Sequence, residues 1–207
     1  MKWQPLAENR ESSSLRWQDS FKATCSTATM RLQRLMPVPL QAGLLAKHRT
    51  LSHETFGMDM TWVTGRIAVG GGIWTAENMT AVSRTGVTHI LDMQIEFDDT
   101  ALAKPHGIKV LWNPIDDDFQ PKPPEVFQRG VEFALNALDG KGTKLFVHCA
   151  AGVHRAPMMT LAILCSLSWK MAEAMQLIEA RRPVVDFANV YVGSVEKFLQ
   201  QQVKAEK

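Results

Sequence analysis

The sequence predicts an α/β protein with a central mixed, largely parallel sheet flanked by helices. Three observations carry that prediction. From about Met58 onward, short apolar runs alternate with stretches of helical period, the pattern of strand–helix–strand units. Leu145-Phe146-Val147, led by Lys144, is a short apolar run of the kind shown by a strand covered on both faces. Three helical stretches then follow without an intervening strand, which closes one side of the sheet.

Trp62-Val63-Thr64 and Ile67-Ala68-Val69 read as the first strand material, closed by Gly70-Gly71-Gly72. Ala76 to Arg84 forms a short helix, with Thr75 as N-cap and Gly86 just past its end. His89 to Met93 and Lys109 to Trp112 are the next strands. Pro124 to Leu138 is a helix whose Phe127, Val131, Ala134, Leu135 and Leu138 share one face, and Gly140 ends it. After the Lys144–Val147 strand, helices are expected at about Ala156–Trp169, Ala172–Arg181 and Ala188–Gln202.

A chain of 207 residues allows one ordinary domain with an extension. The net charge of +2 hides a split. Residues 1–50 hold eight basic and three acidic residues, net +5, whereas the rest of the chain is net −3. That balance excludes a broadly basic nucleic-acid binder. Residues 1–27 are polar and aperiodic and read as a tail or loosely held arm. Residues 28–48 carry apolar spacings of three and four, broken by Pro37 and Pro39, and suggest short amphipathic helices. The expected division is therefore a basic N-terminal extension, 1–57, and a folded body, 58–207. No run of 18 apolar residues exists, so no membrane span is expected. Cys25, Cys149 and Cys165 are too few and too scattered for a disulfide framework, which points to a reducing, cytoplasmic setting. An organelle address in the Ser/Thr-rich leader is the alternative.

The segment that carries chemistry is Val147 to Pro157, V-H-C-A-A-G-V-H-R-A-P, between a buried strand and a helix. Ligands of such sheets bind at the carboxyl ends of strands. The start of the next helix offers free N–H groups and a positive dipole end, which bind anions. A loop from Cys149 to Arg155 is long enough for successive N–H groups to converge on one tetrahedral anion. Gly152 gives the backbone freedom to curl, and Pro157 suits the first helical turn. The same electrostatics favour the thiolate form of a cysteine placed there. Arg155 offers a planar fork matched to phosphate oxygens. A thiolate beside a phosphate clamp implies displacement at phosphorus through a cysteinyl-phosphate.

H-C-x-x-G-x-x-R is the signature of the cysteine-dependent protein tyrosine phosphatase superfamily, and the sequence resembles its small dual-specificity branch over about residues 60–200. I-x-V-G-G, G-V-T-H-I-L-D (86–92), N-P-I-D-D-D (113–118) and A-M-Q-L-I-E-A-R-R-P (174–183) resemble that family's first strand, its Asn-ended second element, its general-acid loop and its penultimate helix. The resemblance implies a dual-specificity phosphatase-like fold and catalysis without metal or other cofactor. It implies Cys149 as nucleophile, and Ala150, Ala151, Gly152, Val153, His154 and Arg155 as the phosphate-binding loop. His148 would orient the cysteine. The family's acid pattern falls on Asp117; chemistry alone leaves Asp116, Asp117 and Asp118 open, with Asp118 second.

The substrate implied is a phosphorylated protein or other phosphomonoester, handled by a monomer without nucleic acid. One departure stands out. Ala156 occupies the position where the family has Ser or Thr, whose hydroxyl helps the thiolate leave, so slow phosphoenzyme hydrolysis is expected. A-G-x-x-R-A-P is also similar to plant glucan phosphatases, which usually have Gly where this chain has His154. Phosphoglucan and phosphoinositide are therefore alternative substrates. A catalytically weak phosphate-binding module and a rhodanese-type sulfur transferase are the competing readings. Cys165 is expected as an interior helix cysteine, with a disulfide to Cys149 as the alternative.

Overall fold

The computed structural model describes residues 57–205. The helices expected within residues 28–48 and the basic leader lie outside the described residues. The order of elements is β1 (Met60–Trp62), β2 (Ile67–Gly70), α1 (Ala76–Arg84), β3 (His89–Asp92), α2 (Thr100–Ala103), a 3-10 turn (Lys104–His106), β4 (Lys109–Trp112), α3 (Pro124–Asp139), β5 (Leu145–His148), α4 (Arg155–Ser166), α5 (Met171–Arg181) and α6 (Asn189–Ala205).

The five strands form one sheet in the order β1-β2-β5-β3-β4. Only β1 is antiparallel, at the edge. β5 lies at the centre, its Leu145–His148 in register with Ile67–Gly70 on one side and His89–Asp92 on the other. Side chains alternate across a strand, so neighbouring residues feed two different cores. Ile67, Val69, Leu91, Leu145 and Val147 face the core shared with α3, α4, α5 and α6. Ala68, Ile90 and Phe146 face a smaller core with Met79 and Val82 of α1 and Ala103 of α2. The central strand is buried along its whole length, which explains why its sequence shows no polar alternation until His148.

α3 begins on Pro124, where the missing N–H needs no partner, and stops at Gly140. Its Gly130 sits against Met159 of α4. A Cβ there would come within 2.6 Å of the Met159 Sδ, so glycine permits the close approach of the two helices. α4 is almost entirely buried from Arg155 to Leu164, as befits the helix that follows the central strand.

Several boundaries shift from expectation, and one element was not foreseen. β1 runs over Met60–Trp62, because Val63 and Thr64 form the turn: both N–H groups donate to the Ile67 carbonyl, and Thr64 Oγ1 accepts from Arg66 and Ile67. α4 ends at Ser166 because Leu167 caps it and Ser168 adopts φ 70°. α2 was not anticipated; four residues are too short to carry a helical period.

Strands β2, β3, β4 and β5 all point the same way, so the segments 71–75, 93–99, 113–123 and 149–154 gather at one edge of the sheet.

Candidate active site

The loop from Cys149 to His154 is shaped from outside by its carbonyls. Ala150 C=O accepts from Gly72 N–H at 3.0 Å, and Val153 C=O from Asp186 N–H at 3.1 Å. Arg182 donates Nε to Gly152 C=O at 2.8 Å and a terminal nitrogen to Ala151 C=O at 3.2 Å. In a trans peptide the N–H lies opposite the C=O. Four outward carbonyls therefore turn the N–H groups of Ala151, Gly152, Val153 and His154 toward the inside of the loop. One of them is used there: Gly152 N–H donates to Cys149 Sγ at 3.3 Å. Such an inward ring of donors is a nest for an anion, and it opens on the N-terminus of α4.

Gly152 has φ 65°, and a Cβ on it would lie 2.4 Å from the Gly70 carbonyl carbon. Both the curl and the contact with β2 require glycine. Arg182 is 4% exposed and holds Asp59 by two nitrogens at 2.6–2.7 Å while it grips the loop. In sequence, Arg181-Arg182 reads as a cationic pair favoured at a helix C-terminus. The family resemblance also pointed to a structural part for Arg182-Pro183, and the fold shows Arg182 bracing the loop against the segment before β1.

Cys149 is 1% exposed and belongs to the larger core. Arg155 starts α4 and is 3% exposed. Its terminal nitrogens meet both Glu96 oxygens at 2.9 and 3.0 Å, and one of them also reaches the Ile115 carbonyl at 3.1 Å. Burial works against its charge, but hydrogen bonding to Glu96 and the negative charges of Cys149, Glu96 and Asp117 outweigh that, so the guanidinium is held above its ordinary value. Hydrogen bonding to Arg155 in turn holds Glu96 below the usual carboxylate range. Glu96 was missed in the sequence, where an exposed Glu between Ile95 and Phe97 gives no signal.

The three acidic residues after β4 separate cleanly. Asp116 faces solvent. Asp118 is ion-paired with Lys122 and accepts from Gln120 N–H at 3.0 Å. The Lys122 bond, then the Gln120 bond, pull its carboxyl below the usual range. Asp117 turns to the loop. Its Oδ2 lies 3.0 Å from His154 Nδ1 and 3.7 Å from Arg155 Nε, and its Oδ1 accepts from the Tyr191 hydroxyl at 2.9 Å. Burial, opposed by the Phe119 N–H and reinforced by Asp117, pushes the phenol up to about 12, so Tyr191 stays a donor. Tyr191, the single tyrosine of the chain, was not singled out in the sequence.

His148 does not face the thiol. It shares the Phe146 side of the sheet and stacks on that ring at 5.1 Å. Its Nε2 lies 2.8 Å from Asp99 Oδ2 and 3.7 Å from Asp92 Oδ1, all three residues being fully buried. Asp92, Asp99 and His148 are the one group among the described residues with donor atoms close enough to hold a metal ion. Burial, only partly offset by His148 and the Gln94 N–H, pushes the Asp92 carboxyl up to about 6.

Between about pH 4 and 6 folded Asp92 thus keeps a proton that the unfolded chain has released, and this favours folding at the acid end and is lost as pH rises through 6. Asp92→Asn should remove that term. Relative to wild type, the variant should gain on the order of 2 kcal/mol in denaturant stability between about pH 4 and 7. A stability difference that stays flat with pH would contradict this.

Cys149 and Cys165 are both free thiols, and burial pushes the Cys165 thiol up. Among the described residues no helix is long and apolar enough to cross a membrane.

Residues 73–201 match the family model described as "Dual specificity phosphatase, catalytic domain". Similar curated proteins include "Dual specificity protein phosphatase 5" of Rattus norvegicus, 30% identical over 88 residues, which is 42% of this chain and 23% of that protein. "Protein phosphatase Slingshot homolog 3" of Rattus norvegicus is 30% identical over 118 residues, 56% of this chain and 17% of that protein. The chain thus spans less than a quarter of the length of these relatives. Among solved structures, PTPMT1 in complex with PI(5)P is similar with a TM-score of 0.62 and 19% identity, covering 70% of this chain and 97% of that one. At that identity the likeness concerns the fold.

Proposed function

Since this chain belongs to the dual specificity phosphatase catalytic-domain family, we propose that it hydrolyses phosphomonoesters through a cysteinyl-phosphate on Cys149, most directly those of phosphorylated proteins. The observation that carries this reading is the convergence, at the carboxyl end of the central strand, of a buried cysteine, an inward ring of N–H groups, Arg155 and the Asp117 carboxyl.

In the first step the Cys149 thiolate attacks phosphorus and the P–O bond to the leaving group breaks. Asp117, protonated, gives its proton to the departing oxygen. The inward N–H groups and the Arg155 fork hold the non-bridging oxygens, whose charge grows in the transition state. In the second step water attacks the same phosphorus, Asp117 takes its proton, and the S–P bond breaks to return the thiolate and free phosphate. The loop and Arg155 act in both steps. His148 contributes through the placement of β5, since its ring is engaged with Asp92 and Asp99 on the other side of the sheet.

Ala156 makes the second step the slower one. It is fully buried beside the loop and brings no hydroxyl to the departing sulfur. Rapid mixing with an aryl phosphate should therefore give a burst approaching one product per chain before a slow steady rate. Ala156→Ser should raise that steady rate several-fold and shrink the burst, at a cost of about 1 kcal/mol in stability if the buried hydroxyl is incompletely paired. A linear trace with fast turnover in wild type would contradict this.

The substrate class is tested by a panel of phosphotyrosine and phosphothreonine peptides, phosphoinositide vesicles and phosphoglucan, compared by kcat/KM. Preference for the peptides supports the protein-phosphatase reading. Preference for either of the other substrates overturns it and leaves the cysteinyl-phosphate chemistry in place. Failure of every phosphoester to turn over favours the phosphate-binding module.

A further inference from the structure

We propose that His154 and Tyr191 are positioning residues that together fix the carboxyl of Asp117 over the phosphate loop, in a two-point hold that this chain builds from a loop histidine and its single tyrosine. The proposal rests on the reading of Asp117 as the proton donor and acceptor. Asp117 lies on a surface segment with acidic neighbours on both sides, and its side chain is 28% exposed. A carboxyl in that setting samples several rotamers, and a proton transfer needs one.

Both oxygens are held. His154 Nδ1 meets Oδ2 at 3.0 Å, and the Tyr191 hydroxyl donates to Oδ1 at 2.9 Å. The two partners come from different elements. His154 is the last residue of the phosphate loop and immediately precedes Arg155, and Tyr191 stands on the first turn of α6 with 1% of its surface exposed.

The holders are themselves held. The Phe119 N–H donates to the Tyr191 oxygen at 2.9 Å, which fixes the direction in which the hydroxyl proton points. The Phe119 ring stacks on Tyr191 at 5.7 Å and meets the edge of His154 at 5.0 Å. Phe119 reaches that place with φ 55°, a conformation that costs a side-chain-bearing residue energy and persists only where its surroundings enforce it. On its far side His154 Nε2 lies 3.5 Å from Asp186 Oδ2, and the Asp186 N–H caps the Val153 carbonyl of the loop. The acid segment, the phosphate loop and α6 therefore meet at one imidazole. The arrangement ties the position of the acid to the loop that binds the phosphate.

The test compares kcat/KM for 2,4-dinitrophenyl phosphate, whose leaving group needs no proton, with that for phenyl phosphate, whose leaving group does. Asp117→Asn should lose phenyl phosphate selectively. His154→Ala and Tyr191→Phe should lose it with the same selectivity but by roughly tenfold, a fraction of what a positioned acid supplies. His154→Asn, which keeps a hydrogen-bonding group near the place of Nδ1, should recover part of the loss. In an Asp117→Asn background His154→Ala should add no further selectivity.

Equal losses for both esters on His154→Ala would assign His154 to phosphate binding and overturn the proposal, as would unchanged selectivity in both His154→Ala and Tyr191→Phe. If Asp117→Asn itself shows no selectivity, the acid assignment fails and the proposal falls with it. Tyr191→Phe keeps the stacking with Phe119, so its readout survives if His154→Ala unsettles the loop.

Discussion

Cys149→Ser should abolish turnover of any phosphomonoester, with a loss of roughly six orders of magnitude in kcat, the scale on which removal of a covalent nucleophile is felt. The expectation follows from the placement of the sulfur. It is buried against the N–H ring, accepts from Gly152 N–H, and has the guanidinium of Arg155 within electrostatic reach. A serine hydroxyl fits the same space and can accept the same bond, so loop and fold should persist. What it lacks is the nucleophilicity of sulfur. The variant should therefore still bind phosphate and unfold at nearly the wild-type denaturant concentration while its hydrolysis falls to background. Residual hydrolysis within tenfold of wild type would contradict the covalent mechanism.

Asp117→Asn carries the second large effect. A positioned general acid supplies about 10²–10⁴-fold, so phenyl phosphate hydrolysis should fall by at least about a hundredfold. Asp116→Asn and Asp118→Asn are the internal controls. Asp116 faces solvent, and Asp118 is committed to Lys122, a bond that keeps its carboxyl ionised and a poor proton donor. Neither substitution should change kcat/KM by more than a few-fold. Loss of activity in Asp118→Asn with Asp117→Asn unaffected would move the assignment by one residue.

Much of the fold was legible because its signals are local. The apolar run of β5, the Thr75 cap, the Gly140 stop and the face of α3 each lie within a few residues of chain. The eight-residue signature likewise places Cys149, the loop and Arg155 within one segment, whereas chemistry alone left Asp116, Asp117 and Asp118 open. What stayed hidden depends on contacts across long sequence separations. Arg182 reaches Asp59 across 123 positions, and Arg155 reaches Glu96 across 59. Tyr191 meets Asp117 across 74. Nothing local marks such partners. The orientation of His148 was hidden for a different reason. Strand alternation sends it to the face opposite the larger core that contains Cys149, and that parity is set only once the ends of β5 are known.

The basic leader remains an expectation of charge alone. In the described body the inward N–H groups and Arg155 gather positive potential locally, bordered by carboxylates from Glu96, Asp117 and Asp186.

The central claim is that phosphate passes through Cys149. Its most direct measurement is acid quenching within the burst phase after mixing with a radiolabelled phosphoester, followed by peptide mapping. The account predicts close to one acid-stable label per chain, on the peptide that contains Cys149, increased in lifetime by the alanine at 156 and absent from Cys149→Ser. Turnover that proceeds with no label on the protein, or with label on any other residue, would contradict it.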